Sequence, residues 1–297
     1  MLISRFITFV YVVYKIAFNL LLTPYFLIKD SGLFIYRHLY RFVDGVINLQ
    51  LSYAPDIETI DLAQLQALVG GPPPQLHVKF NSKHGNINFL ESIAMSYIIQ
   101  SSQPKVLFEI GTFDGFSTYH LAKNSPPDAR VHTLNLPAGS PLMDYMENYS
   151  LIEYQRDRHT HEKLKEAEIG KLYKESDVAH KVTQHFGNSL SYDFSSLVGT
   201  CQFCFIDGGH SRQHLESDTG NAMKLLGERG VIVWHDYNIQ HRDVRYYLKQ
   251  LSKTVKLYHI EGTRLAVYFK PELVAPKSKD AGADPKAASA PPGAPAT

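Results

Sequence analysis

Two stretches of this chain end apolar runs on groups that can do chemistry. FCFIDGGHSRQHLESD (203–218) places Asp207 and His210 after one strand-like run, and GVIVWHDYN (230–238) places His235 and Asp236 after another. Imidazole titrates near neutrality, so His210 or His235 could act as a general base. Two carboxylates and an imidazole also make a reasonable ligand set for a divalent ion, here Asp207, His235 and Asp236. A structural use stays open beside these, with His210 capping the helix that follows and Asp236 bonding nearby backbone amides. A third stretch, VLFEIGTFDGFST (106–118), ends a hydrophobic strand near Glu109, turns through Gly111 and Gly115, and starts a helix at Ser117-Thr118. Glycine in such a turn permits positive φ and lets a ligand approach the backbone, and the helix start offers free N–H groups. The spacing is GxxxG. A dinucleotide site requires GxGxxG, and a phosphate loop requires a Lys directly after its last glycine, so neither is met.

These groups can share one cleft only if their strands lie side by side and parallel, with the ligand beyond the carboxyl ends. The patterning supports that arrangement. It predicts a helix over Phe89–Gln100 with Glu91 in its first turn, strands over Lys105–Ile110 and Arg130–Asn135, and a helix opening at Ser117–Ala122. Further strands are predicted over Val182–Phe186, Gln202–Asp207 and Gly230–His235, and helices over Arg212–Leu226 and Arg242–Leu251. Val255–Ile260 and Leu265–Phe269, joined by Glu261-Gly262-Thr263-Arg264, read as a terminal hairpin. Alternation of this kind implies a mainly parallel sheet with helices on both faces. The polar stretch 140–178 interrupts it and could form a substrate lid. His159 and His161 within it are two apart, share no helix face, and read as solvated.

The chain has 297 residues and a net charge of +1. That balance does not call for a nucleic-acid partner, which usually draws a basic stripe. Cys201 and Cys204 make no disulfide framework and fit a reducing compartment. Lying three apart on a strand, they are expected on opposite faces as plain core residues. Four zones follow: 1–50, a hydrophobic and amphipathic helical segment; 51–84, a linker and N-terminal helical cover; 85–273, the α/β domain; and 274–297, an Ala/Pro-rich tail without large apolar residues after Val274, expected to be disordered. In the first zone Ser4, Thr8, Lys15, Asn19 and Thr23 form one polar stripe, and Arg37, Arg41, Asp44 and Asn48 another. Two amphipathic segments around Ser31-Gly32 fit an in-plane or hairpin contact with a membrane surface. A tilted single span and a cover for this domain or for a twin subunit in a homo-oligomer are the alternatives.

From about Gly85 to Lys270 the chain resembles the class I methyltransferases of the methyltransferase-24 family. The resemblance rests on HGNINFLES, PKVLFEIGTFDGFST, VHTLNLP, FGNS, SYDFSSL, FIDGGHS, GVIVWHDYN and HIEGTRLAVYF, in family order. It implies an α/β fold, a Rossmann-like methyltransferase sheet of seven strands with the last antiparallel, behind N-terminal helices. It implies S-adenosylmethionine as cofactor, held by Glu109, Gly111, Phe113, Gly115 and Ser117, with Asn135 at the ribose and Asn188 at the adenine. Family members typically carry Asp at both of those positions, and an amide keeps hydrogen-bonding capacity but loses the charge. Related O-methyltransferases add a divalent metal such as Mg2+ at positions equivalent to Asp207, His235 and Asp236. The implied reaction is O-methylation of a hydroxylated small-molecule, glycan or lipid-linked acceptor, by a membrane-associated protein with its domain in the cytoplasm or by a soluble cytoplasmic one. The alternative is a catalytically degenerate binding or scaffold protein on the same fold, which the two amides motivate.

Overall fold

The structure, a computed structural model, describes residues 56–70, 75–79, 85–140, 164–238 and 240–273. The segment 1–50, the tail 274–297, and most of the 140–178 stretch with His159 and His161 lie outside the described residues. Among the described residues, no helix is long and apolar enough to cross a membrane.

The chain alternates strand and helix as the patterning requires. In order come β1 (Glu58–Ile60), α1 (Leu62–Val69), α2 (Phe89–Ser102), β2 (Val106–Ile110), α3 (Phe116–Asn124) and β3 (Arg130–Asn135). Then follow α4 (Lys171–Lys174), β4 (Val182–Phe186), β5 (Cys201–Ile206), α5 (Arg212–Leu225), β6 (Leu226–Trp234), α6 (Arg242–Leu251), β7 (Leu257–Ile260) and β8 (Ala266–Phe269). The strands form one sheet in the order β1-β7-β8-β6-β5-β2-β3-β4. Only β8 runs against its neighbours β6 and β7, and the other described pairings are parallel. This is a Rossmann-like methyltransferase sheet. It has eight strands rather than the expected seven. The extra one, β1, comes from the segment expected to be linker and helical cover, and it adds a parallel edge to β7. Three residues are too few to show a periodicity, so only the pairing reveals them.

Each face of the sheet buries its own core. One holds Leu107, Phe203, Phe205, Val231 and Val233 under α1, α2 and α3, and the other holds Phe108, Cys204, Ile232 and Trp234 under α5 and α6. Cys201 and Cys204 are free and buried, but both belong to the second core. The opposite-face expectation fails because the β5–β6 register shifts between Cys201 and Phe203, which breaks the two-residue alternation there.

Candidate active site

The carboxyl ends of β2, β5 and β6 stand next to one another, because β5 pairs with both β2 and β6. Gly111, just beyond β2, has φ +104, and a Cβ there would lie 1.9 Å from the Asp207 carbonyl oxygen. Only glycine allows the two strand ends to approach so closely. Gly115 has φ +83, and its Cβ would meet the Tyr173 ring at 2.7 Å and Gly170 at 2.8 Å. The segment before α4 is hydrogen-bonded onto this turn, Gly170 N–H to the Phe113 carbonyl and Leu172 N–H to that of Asp114, both at 2.9 Å. The described end of the charged stretch therefore packs on the turn, with Ile169 and Tyr173 buried.

Glu109 is completely buried at the base of the turn. Its Oε2 accepts from the hydroxyls of Thr118 and Thr133, while its Oε1 has no hydrogen-bond partner among the described residues. Burial raises the Glu109 carboxyl to about 7, the nearby Asp207 charge adds to the rise, and the hydroxyls of Ser117, Thr118 and Thr133 oppose it. A polar line runs outward from here. Thr133 Oγ1 lies 2.6 Å from Thr112 Oγ1, which accepts from Gln184, and the Gln184 carbonyl accepts from Tyr173 Oη at 2.9 Å. Asn135 spends its amide locally, accepting from Phe113 N–H at 3.1 Å and donating to the Leu136 carbonyl at 2.8 Å. Asn188 Oδ1 accepts from Leu190 N–H.

The structure brings Asp207, His210, His235 and Asp236 into one cluster. His235 Nδ1 donates to Asp207 Oδ1 at 2.9 Å and its Nε2 to Glu91 Oε2 at 3.2 Å. Burial would lower the affinity of His235 for its proton, but the carboxylates of Asp207, Asp236 and Glu91 outweigh burial and hold it well above the usual range. Both of its ring nitrogens face carboxylates, and each donates when the ring is protonated. Glu91, held at the N-terminus of α2 by a capping box with Asn88, also receives the backbone N–H and guanidinium of Arg264. Burial opposes its charge, yet His235 and Arg264 lower its carboxyl to about 2. Arg264 donates from its other side to Asp236 Oδ1 at 2.9 Å. Asp236, with φ +56, turns its Oδ2 toward three imidazoles: His210 Nε2 at 3.1 Å, His235 Nδ1 at 3.6 Å and His241 Nε2 at 3.6 Å. His210 does not cap α5. Ser211 does, accepting from His214 N–H.

Glu91, Arg264, His241 and Tyr173 join the site without having been singled out for it. Arg264 follows Gly262 in the β7–β8 turn, and His241 begins α6 five residues after Asp236, in a loop pinned by Asn238 Oδ1 accepting from Gln240 and His241 N–H.

Residues 108–237 match the family model described as a methyltransferase domain, that of the methyltransferase-24 family. Among solved structures, the chain is similar to the O-methyltransferase TomG from Streptomyces achromogenes in complex with SAM, at 18% identity, over 66% of this chain and 83% of that one, with a TM-score of 0.43. It is similar to an O-methyltransferase from Bacillus cereus in complex with SAH, at 16% identity, over 63% and 84%, TM-score 0.43. It is also similar to the SAH-bound methyltransferase PaMTH1 from Podospora anserina, at 15% identity, over 70% and 92%, TM-score 0.44. No curated protein matches its sequence.

Proposed function

We propose that the chain is an S-adenosylmethionine-dependent methyltransferase acting on a hydroxyl group, a reading supported by the match of residues 108–237 to the methyltransferase-domain model of the methyltransferase-24 family. The observation that carries the proposal is the Glu109 Oε1 atom, buried without a partner beside a glycine turn. A carboxyl oxygen so placed fits a cationic ligand, and S-adenosylmethionine is one. Glu109, Gly111, Phe113, Gly115 and Ser117 would hold it, with the amides of Asn135 and Asn188 at the two strand ends beyond. Bound there, the cofactor supplies an electrophilic methyl group.

The chain's own residues prepare the acceptor. Among the acids and imidazoles of the cluster Asp207 and His210 are the more open, each 16% exposed at the side chain, against 1% for His235 and 0% for Glu91. An acceptor hydroxyl would meet Asp207 and His210 and leave its proton on His210, or on the Asp207 carboxylate when the His210 lone pair is engaged elsewhere. His235, clamped by Glu91, fixes the direction of Asp207, which serves the alignment that methyl transfer needs.

Calorimetric titration with S-adenosylmethionine tests the reading. Saturable heat and a thermal shift are expected, weakened in Glu109→Gln. No heat and no shift at millimolar cofactor would instead favour a binding or scaffold protein. The local engagement of the Asn135 and Asn188 amides supports that second reading. The acceptor belongs to the hydroxylated small molecules, glycans or lipid-linked compounds. The polar stripes within residues 1–50 favour a lipid-linked one reached at a membrane surface. Fractionation of cells checks this: full-length protein found in the soluble fraction would refute it.

A further inference from the structure

We propose that His210, Asp236 and His241 form a binding site for one divalent transition-metal ion, sharing only Asp236 with a Mg2+ site on Asp207, His235 and Asp236 and differing from it in metal preference. In the latter set the donor atoms also lie within 4.8 Å of one another, with the His235 ring nitrogens divided between two carboxylates, Asp207 at 2.9 Å and Glu91 at 3.2 Å. His210 and His241 are arranged differently. Both direct Nε2 at a single oxygen, Asp236 Oδ2, at 3.1 and 3.6 Å. Their rings lie side by side with centroids 4.4 Å apart, and one donor atom from each of the three residues falls within 4.8 Å of the others.

Those spacings suit a shared ion. With bonds of about 2.1 Å, donor atoms lie about 3.0 Å apart at right angles and about 3.4 Å apart at the tetrahedral angle. Each imidazole would bind through its Nε2 lone pair with the ring proton on Nδ1, so coordination releases no proton if both rings start neutral. Arg264 holds the other Asp236 oxygen at 2.9 Å, the kind of outer contact that fixes a ligating carboxylate. Two imidazoles and one carboxylate select Zn2+, Mn2+, Fe2+ or Co2+ over Mg2+, which prefers oxygen donors. Three protein ligands leave coordination positions open. The site lies one residue from His235, whose ring holds Asp207, so an acceptor oxygen could occupy an open position. That use rests on the methyltransferase reading, whereas metal binding does not.

The test uses the full chain stripped of metal by chelation, with Co2+ as the probe and its visible absorption as the readout. One equivalent is expected, displaced by Zn2+ and unaffected by millimolar Mg2+. His210→Ala and His241→Ala should each weaken Co2+ by at least about tenfold, while Asp207→Asn binds it as wild type does. X-ray absorption of the zinc-loaded wild type should show two imidazoles, a measurement that needs no variant to fold. Absence of binding, unchanged affinity in His241→Ala, loss in Asp207→Asn, or fewer than two imidazoles would each overturn the proposal. Titration of the same samples with S-adenosylmethionine separates the two ideas. Protein that binds Co2+ but not the cofactor keeps the metal site and sinks the methyltransferase reading, and protein that binds only the cofactor does the reverse.

Discussion

Cofactor binding should be linked to the proton on Glu109. Burial places this carboxyl at about 7 in the unliganded protein, so at pH 5 it is almost wholly neutral. A bound cation beside Oε1 favours the carboxylate, and the proton must leave on binding. If the bound carboxyl titrates below pH 5, linkage gives an affinity rising about 90-fold from pH 5 to pH 8, or about 2.7 kcal/mol. About 0.9 proton should be released per cofactor at pH 6 and about 0.5 at pH 7. Calorimetry in buffers of different ionisation enthalpy measures both quantities. The amino group of the cofactor also titrates in this range, but it is shared by wild type and Glu109→Gln. The informative quantity is therefore the difference between the two pH profiles. If both proteins show the same slope and release the same number of protons, Glu109 does not face the cation and the reasoning fails.

Three further outcomes are expected. Arg264→Met leaves Glu91 and Asp236 without their shared guanidinium, and should cost about 3–5 kcal/mol in a denaturant titration, the usual penalty for breaking a buried pair from one side. Gly115→Ala adds a methyl 2.7 Å from the Tyr173 ring at φ +83, whereas Gly139→Ala, at φ +75, meets nothing within 4 Å among the described residues. The second should cost about 1 kcal/mol of backbone strain and the first about 1–3 kcal/mol more, compared by thermal melts. Asp218, whose two carboxyl oxygens are buried without a close hydrogen-bond partner among the described residues, is raised by burial from 3.8 to about 7, with the Ser189 side chain opposing the rise. Its folded value lies above the unfolded one, so it favours folding below pH 3.8 and loses that contribution as pH rises to 7. Asp218→Asn should therefore gain stability over wild type at pH 8, by up to about 4 kcal/mol before any new unpaired amide is counted, and the gain should vanish near pH 4.

The parts legible in the sequence were those written locally. The strands over Arg130–Asn135 and Val182–Phe186 and the helix over Arg242–Leu251 occupy the expected residues, because apolar periodicity is a short-range signal. The strand-end groups at Glu109, Asp207, His210, His235 and Asp236 were legible because each follows directly on an apolar run. The partners that define them were not. Glu91 reads as an ordinary first-turn acid of a helix, and Arg264 as the last residue of a hairpin turn, yet they bond across 173 positions. His241 was hidden because a loop folded back by Asn238 carries it to Asp236, and no period describes such a loop. His132 and His185, 3.0 Å apart on adjacent strands, could be paired only once the β3–β4 register was known.

Formal charge explains why these groups are gathered rather than dispersed. The cluster holds three carboxylates, Glu91, Asp207 and Asp236, against two cations, Arg264 and His235. One negative charge is left over, and it is carried toward the edge where Asp236 meets His210 and His241. A buried surplus of this kind is costly unless something positive answers it. Two imidazoles can answer it by taking up a proton, and a divalent ion can answer it more strongly. Glu109 presents the same demand a few ångströms of sheet away, where Gly111 lets β2 and β5 touch. The site thus offers unpaired negative character at two neighbouring places, one enclosed beneath the glycine turn and one among imidazoles at the strand ends. A sulfonium cofactor at the first and a metal or protonated imidazole at the second would satisfy both, and would leave an acceptor oxygen a place between them.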